Sequence, residues 1–166
     1  MNRYCVVAAL GALLLAGCGQ DKPASTEAAA TSCPSADANG VVAITDGLTA
    51  TITSRGYGRA AVAGDFADVH TTLWLYDENA AGGRGTEIWA SGGDRPFQFQ
   101  LSAGQVIKGW DLGVAGMLIG ETRELKIAPE LGYGARGKPP VPANATLLFE
   151  IELVNLTSPE EAAARQ

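Results

Sequence analysis

The chain has 166 residues, of which 46% are hydrophobic and 21 are glycine, and it carries a formal net charge of −6. That length fits one domain with appendages, no apolar run beyond residue 17 reaches the roughly 20 residues of a spanning helix, and the lack of a basic excess argues against nucleic acid as a partner. Three cysteines are too few for a disulfide scaffold, and His70 alone cannot build a metal site of several imidazoles.

Arg3 gives a short positive start, and Tyr4 to Ala16 form an apolar stretch of about 13 residues, the length of a signal-peptide core. The stretch ends in Leu15-Ala16-Gly17-Cys18, which resembles the bacterial lipobox: small residues before the cut, then a cysteine whose thiol takes a diacylglycerol. Residues 1–17 are therefore expected to be a removable signal peptide and Cys18 the lipidated first residue of the mature protein. Its acyl chains, at about 0.8 kcal/mol per buried CH₂, would tether the protein to a membrane without spanning it. An ordinary secretory signal followed by a chance cysteine is the alternative. Gly19 stands where an aspartate would signal inner-membrane retention in the enterobacterial pattern, so in a Gram-negative cell the expected place is the outer membrane, facing the periplasm.

After Cys18, residues 19–40 are rich in Ala, Ser, Thr, Pro and acidic side chains and lack any large apolar one. Residues 18–40 are expected to be the lipidated cysteine and a disordered tether, with Cys33 a bystander in it. The folded unit is expected over residues 41–157, with a polar tail over 158–166. Its 17 glycines are about twice the average share and punctuate short apolar segments, which favours strands and turns over a helical bundle.

Alternation marks five half-buried antiparallel strands. They run through Leu48, Ala50 and Ile52; Val69, Thr71, Leu73 and Leu75; Phe97, Phe99 and Leu101; Leu125 and Ile127; and Leu147, Phe149, Ile151 and Leu153. Between the third and fourth, Gly104 to Gly120 breaks the period of two, because Val106, Trp110, Val114 and Met117 recur at helical spacing. Gly109, Gly113 and Gly116 each lower helix propensity by about 1 kcal/mol relative to Ala, so a short helix that survives by packing on the sheet is predicted. The fold class is α+β, one curved antiparallel sheet around one short helix.

The sequence holds no phosphate loop, no CxxC, no GxSxG and no His-Glu pair, so nucleophilic and metal catalysis lack their parts. His70 has the parity opposite to Thr71 and is expected at the surface or a sheet edge; Glu150 and Glu152 are expected on the outer face of the last strand. What stands out is aromatic: Phe97, Phe99, Trp110, Tyr133 and Phe149 come from segments that would meet at one end of a small sheet. Plain core packing is the commoner fate of such residues.

Several runs then carry a resemblance. They are Pro96-Phe97-Gln98-Phe99, Val106-Ile107-Lys108-Gly109-Trp110-Asp111-x-Gly113, Met117-x-x-Gly120, Arg123-x-Leu125-x-Ile127-x-Pro129-Glu130-Leu131-Gly132-Tyr133-Gly134, and Pro142-x-Asn144-Ala145-Thr146-Leu147-x-Phe149-x-Ile151-Glu152-Leu153. In order and spacing, over roughly residues 47–156, this resembles the bacterial FKBP-type peptidyl-prolyl isomerases. The resemblance implies a half-wrapped antiparallel β-sheet around one short α-helix, and no cofactor or metal. It implies that a substrate proline ring sits on Trp110, walled by Phe97, Phe149, Val106, Ile107 and Val141, while the Tyr133 hydroxyl and the Ile107 amide bind carbonyl oxygens beside the prolyl bond. Its partners would be proline-containing polypeptides and macrolide inhibitors.

Such chemistry needs no nucleophile. Rotation about an X-Pro bond faces a barrier of about 18–20 kcal/mol from amide resonance and takes tens to hundreds of seconds unaided. The twisted transition state has lost that resonance and its charge separation, so a dry apolar pocket favours it over the planar amide. The sequence departs from the family at the pocket wall, where Ile88 replaces a Phe, Trp89 an Asp and Thr71 a Tyr; the loop from Tyr133 to Phe149 is also one residue shorter than in a compact member. These changes leave two readings open: a prolyl isomerase assisting folding in the cell envelope, its rate reduced by the altered wall, or a weakly catalytic or non-catalytic chaperone module that binds peptides in a cleft deepened by Trp89.

Overall fold

The computed structural model describes residues 40–93 and 95–164. The expected signal peptide, Cys18 and the tether with Cys33 up to residue 39 lie outside the described residues. The chain enters through a hairpin of β1 (Val41–Thr45) and β2 (Leu48–Ser54), closed by Asp46-Gly47 with Thr45 opposite Leu48. Asp-Gly suits such a two-residue loop because the turn requires a positive φ, and Gly47 supplies one at +79°.

After the exposed β3 (Tyr57–Ala60) comes β4 (Phe66–Tyr76), the long central strand. Along one side it pairs with β9 (Leu147–Thr157); along the other it pairs first with β6 (Phe97–Gln100) and then with β5 (Arg84–Ala90). With β8 (Thr122–Ile127) the order is β1-β2-β8-β9-β4-β5, antiparallel throughout, and β3 pairs separately with β7 (Leu118–Ile119). The inner face is the core: Leu48, Val69, Phe99, Leu125, Ile127, Leu147, Ile151 and Leu153 are all buried.

The five alternating segments are β2, β4, β6, β8 and β9. Four further strands exceed that expectation. β5 has no buried residue, so no alternation is written into it, and β3 is exposed along its whole length. His70 lies on β4 opposite Glu152, half-buried on the outer face and away from either sheet edge, which corrects part of its expected placement. Glu150 lies on that face too, where its carboxylate accepts from Arg84 Nη2 at 2.5 Å.

The predicted helix is shorter than its periodic stretch: α1 covers only Lys108–Gly113, and Val106 and Met117 fall outside it. Its glycines have a packing reason that propensity does not reveal. A Cβ on Gly109 would lie 2.6 Å from Ile127 Cγ2, and one on Gly113 would collide with Leu125, so the absent side chains let α1 lie directly on β8. Gly113→Val is expected to destabilise the fold by about 1–3 kcal/mol, as overpacking does; an unchanged thermal midpoint would refute this account of the contact.

A buried ion pair fastens the same helix. Arg123 Nη2 and Nε donate to Glu121 Oε1 at 2.5 and 2.8 Å, and Nη1 donates to the carbonyls of Gly113 and Ala115 at 2.8 and 3.3 Å. A cation thus sits on the carbonyl end of α1, where the helix dipole favours it. Beyond β9, the described part of the polar tail forms α2 (Pro159–Ala164), which begins with a capping box in which the Ser158 N–H donates to Glu161 Oε2 at 2.8 Å and the Glu161 N–H to Ser158 Oγ at 3.2 Å.

Candidate active site

The inner face of the sheet and α1 leave a cleft with two lobes. The first, about 300 Å³, is lined by Phe97, Gln105, Val106, Ile107, Trp110, Tyr133, Lys138 and Phe149. Trp110 is its floor, only 5% exposed because α1 presses it against β6 and β9. Its indole meets Phe149 edge-on at 5.2 Å between centroids, Phe97 edge-on at 5.9 Å and Phe99 tilted at 5.5 Å. Phe97 remains 40% exposed at the rim, and Phe99 is buried behind it.

Two of the lining residues, Ile107 and Tyr133, carry hydrogen-bond donors without a partner among the described residues. Ile107 caps α1 with its carbonyl, which accepts the Trp110 and Asp111 N–H groups at 2.9 and 3.3 Å, while its own N–H has no partner among the described residues. Tyr133, between two short 3₁₀ turns at Pro129–Leu131 and Gly134–Arg136, likewise keeps its hydroxyl free of the described residues. The arrangement offers an apolar seat for a ring and two donors for carbonyl oxygens. Among the described residues, no cluster of three His, Cys, Asp or Glu is placed to hold a metal.

A family model for the FKBP-type peptidyl-prolyl cis-trans isomerase matches residues 58–154, more than half of the chain. The chain belongs to this family. It is 39% identical over 114 residues to FK506-binding protein 1 of Aspergillus oryzae, covering 66% of this chain and 98% of that one. It is 50% identical over 95 residues to the peptidyl-prolyl cis-trans isomerase FKBP2 of Homo sapiens, covering 56% of this chain and 62% of that one. The crystal structure of AtFKBP13 superimposes with a TM-score of 0.57 at 36% identity, over 68% of this chain and 94% of that one. The FKBP fold, an antiparallel sheet with a short helix against it, is therefore that of this chain, with α2 as a second helix.

Within this FKBP-type domain, six expected site residues, Phe97, Val106, Ile107, Trp110, Tyr133 and Phe149, line the first lobe together. Ile88, Trp89 and Val141 line the second, about 360 Å³, with Leu73, Pro139 and Pro140; the two lobes share Phe97, Tyr133, Lys138 and Phe149. Trp89, 46% exposed, stands edge-on to Phe97 at 6.4 Å and extends the aromatic wall.

Thr71 does not join them. It is buried opposite Ile151, its N–H donates to Ser91 Oγ at 2.9 Å, its Oγ1 has no partner among the described residues, and it lines neither lobe. The substrate contact expected at Thr71 therefore finds no counterpart among the lining residues of the two lobes. Lys138 and Gln105 are lining residues that sequence reasoning passed over. Gln105 Oε1 accepts the Gln100 N–H at 3.0 Å and ties the loop after β6 to that strand. The available signal for Lys138 was the turn chemistry of Gly137-Lys138-Pro139-Pro140.

Proposed function

We propose that this chain catalyses cis-trans isomerisation of X-Pro bonds in exported polypeptides from a lipid anchor on the bacterial cell envelope. The observation that carries the catalytic part is the Trp110 floor, walled by Phe97 and Phe149 and lined also by Ile107 and Tyr133, whose N–H and hydroxyl have no partner among the described residues. The proline ring rests on the indole, and the donors fix the carbonyl oxygens on either side of the rotating bond. Twisting the amide out of plane moves it towards a less polar state, which the apolar bowl stabilises relative to the planar one. Polypeptides containing proline are the substrates, and macrolides that mimic the prolyl segment are ligands of the same bowl.

The full chain, added to a Leu-Pro peptide, should accelerate cis-trans exchange measured by NMR; exchange no faster than in buffer defeats the catalytic reading. Trp89 favours a second reading, a peptide-holding module of low turnover, because its indole enlarges the apolar wall. Tight binding of an unfolded prolyl polypeptide without acceleration is its signature.

The envelope location rests on Leu15-Ala16-Gly17-Cys18. Prolyl isomerisation, at tens of seconds, is a slow step for proteins that fold after export. Expressed in a Gram-negative host, the chain is expected in the outer-membrane fraction with the mass of an acylated Cys18, and Cys18→Ser to leave the membrane. A wild-type chain without acyl mass removes the anchor from the proposal.

A further inference from the structure

The two lobes meet at Lys138, and no carboxylate among the described residues lines either of them. Glu87 and Glu150, the acidic neighbours in sequence of Ile88 and Phe149, belong to the outer face: Glu87 lies opposite Trp74, and Glu150 pairs with Arg84. Lys138 makes no ion pair with a described residue. Its backbone is fixed by a closed turn, in which its N–H donates to Val141 O at 3.0 Å and its carbonyl accepts the Val141 N–H at 2.7 Å. Gly137 permits that turn: it sits at φ +64°, and a Cβ there would stand 2.7 Å from Val141 O. The ammonium lies 5.6 Å from the Tyr133 ring centroid, held over the junction of the lobes by the ring face. In a domain whose own charge is negative, the cleft thus carries one positive charge with no lining carboxylate among the described residues to neutralise it.

We infer that the cleft prefers prolyl polypeptides with carboxylates flanking the proline, and that Lys138 is the residue setting this preference. The inference deepens the isomerase reading and rests on the same bowl: the ring occupies the Trp110 lobe, an apolar neighbour the Trp89 lobe, and a carboxylate beside them reaches Lys138. Lys138 is exposed, and an ion pair at an exposed site is worth at most about two- to fivefold in affinity.

Two peptides that differ only in carrying Glu or Gln on both sides of a Leu-Pro pair test it. Exchange rates and dissociation constants, the latter from tryptophan fluorescence, are measured for the full chain, Lys138→Met and Lys138→Glu. At low salt the wild type is expected to favour the Glu peptide about two- to fivefold. The ratio should approach one near 1 M salt, where the Debye length is about 3 Å. It should also approach one in Lys138→Met and fall below one in Lys138→Glu. The same ratio in wild type and Lys138→Met, or a wild-type ratio of one at low salt, overturns the inference even if both peptides are turned over. If neither is turned over but the binding ratios follow this pattern, the isomerase reading fails and the role of Lys138 stands.

Discussion

Trp110→Leu is expected to lower kcat/KM for a Leu-Pro peptide by about thirty- to a hundredfold, equivalent to roughly 2–3 kcal/mol of transition-state stabilisation. The indole is at once the surface proposed to seat the proline ring and the hub of the aromatic wall, with edge contacts to Phe149 and Phe97. Each such aromatic pair contributes about 0.5–1.5 kcal/mol beyond its buried area. Without the indole, the rim side chains lose the partner that orients them, and water enters the seat. Leucine is the informative replacement because it keeps the site apolar; alanine would create a cavity with a stability loss of about 3–5 kcal/mol and confuse unfolding with inactivity. A folded Trp110→Leu variant with wild-type exchange rates would show that the floor does not act on the transition state.

The parts of this structure legible from sequence are those where burial on one face imposes a period. In β4, Val69, Thr71 and Leu73 are buried in alternation with the half-buried His70 and Thr72, and in β9 Phe149 and Ile151 alternate with Glu150. β5 lacked that signal because none of its residues is fully buried and Ile88 is its one large apolar side chain packed against the core. β1 and α2 did have local signals, Asp46-Gly47 and the Ser158 to Glu161 capping box, that hydrophobic periodicity does not detect. α1 was overextended because Val114 and Met117 keep the helical spacing after the helix has ended, packing from the following turn.

The aromatic cluster of Phe97, Phe99, Trp110, Tyr133 and Phe149 was visible in the residues themselves, and motif resemblance was what distinguished a candidate site from plain core packing. Lys138 and the absence of Thr71 from the cleft lining depended on tertiary facts. One is where a closed turn aims a side chain; the other is which positions of a buried strand border the cleft.

Arg123→Met is expected to destabilise the domain by about 3–5 kcal/mol, a large share of the roughly 5–15 kcal/mol that holds a domain folded. In urea this amounts to a midpoint lower by about 2 M. The size follows from what is left behind. Glu121 is 4% exposed, and with the guanidinium gone its carboxylate keeps, among the described residues, only the Leu118 N–H, donating to Oε2 at 3.1 Å. The carbonyls of Gly113 and Ala115 lose their donor at the same time. Removing the stranded charge as well, in Glu121→Gln/Arg123→Met, should recover most of the stability, because a neutral amide is far less penalised by burial than an unpaired carboxylate. A single-variant loss below about 1 kcal/mol, or a double variant no better than the single, contradicts the ion-pair account. The double variant still lacks the bonds from Arg123 to the end of α1, and α1 carries Trp110; exchange activity should therefore recover less than stability does, which separates the pair's part in holding the fold from its part in holding the floor of the cleft.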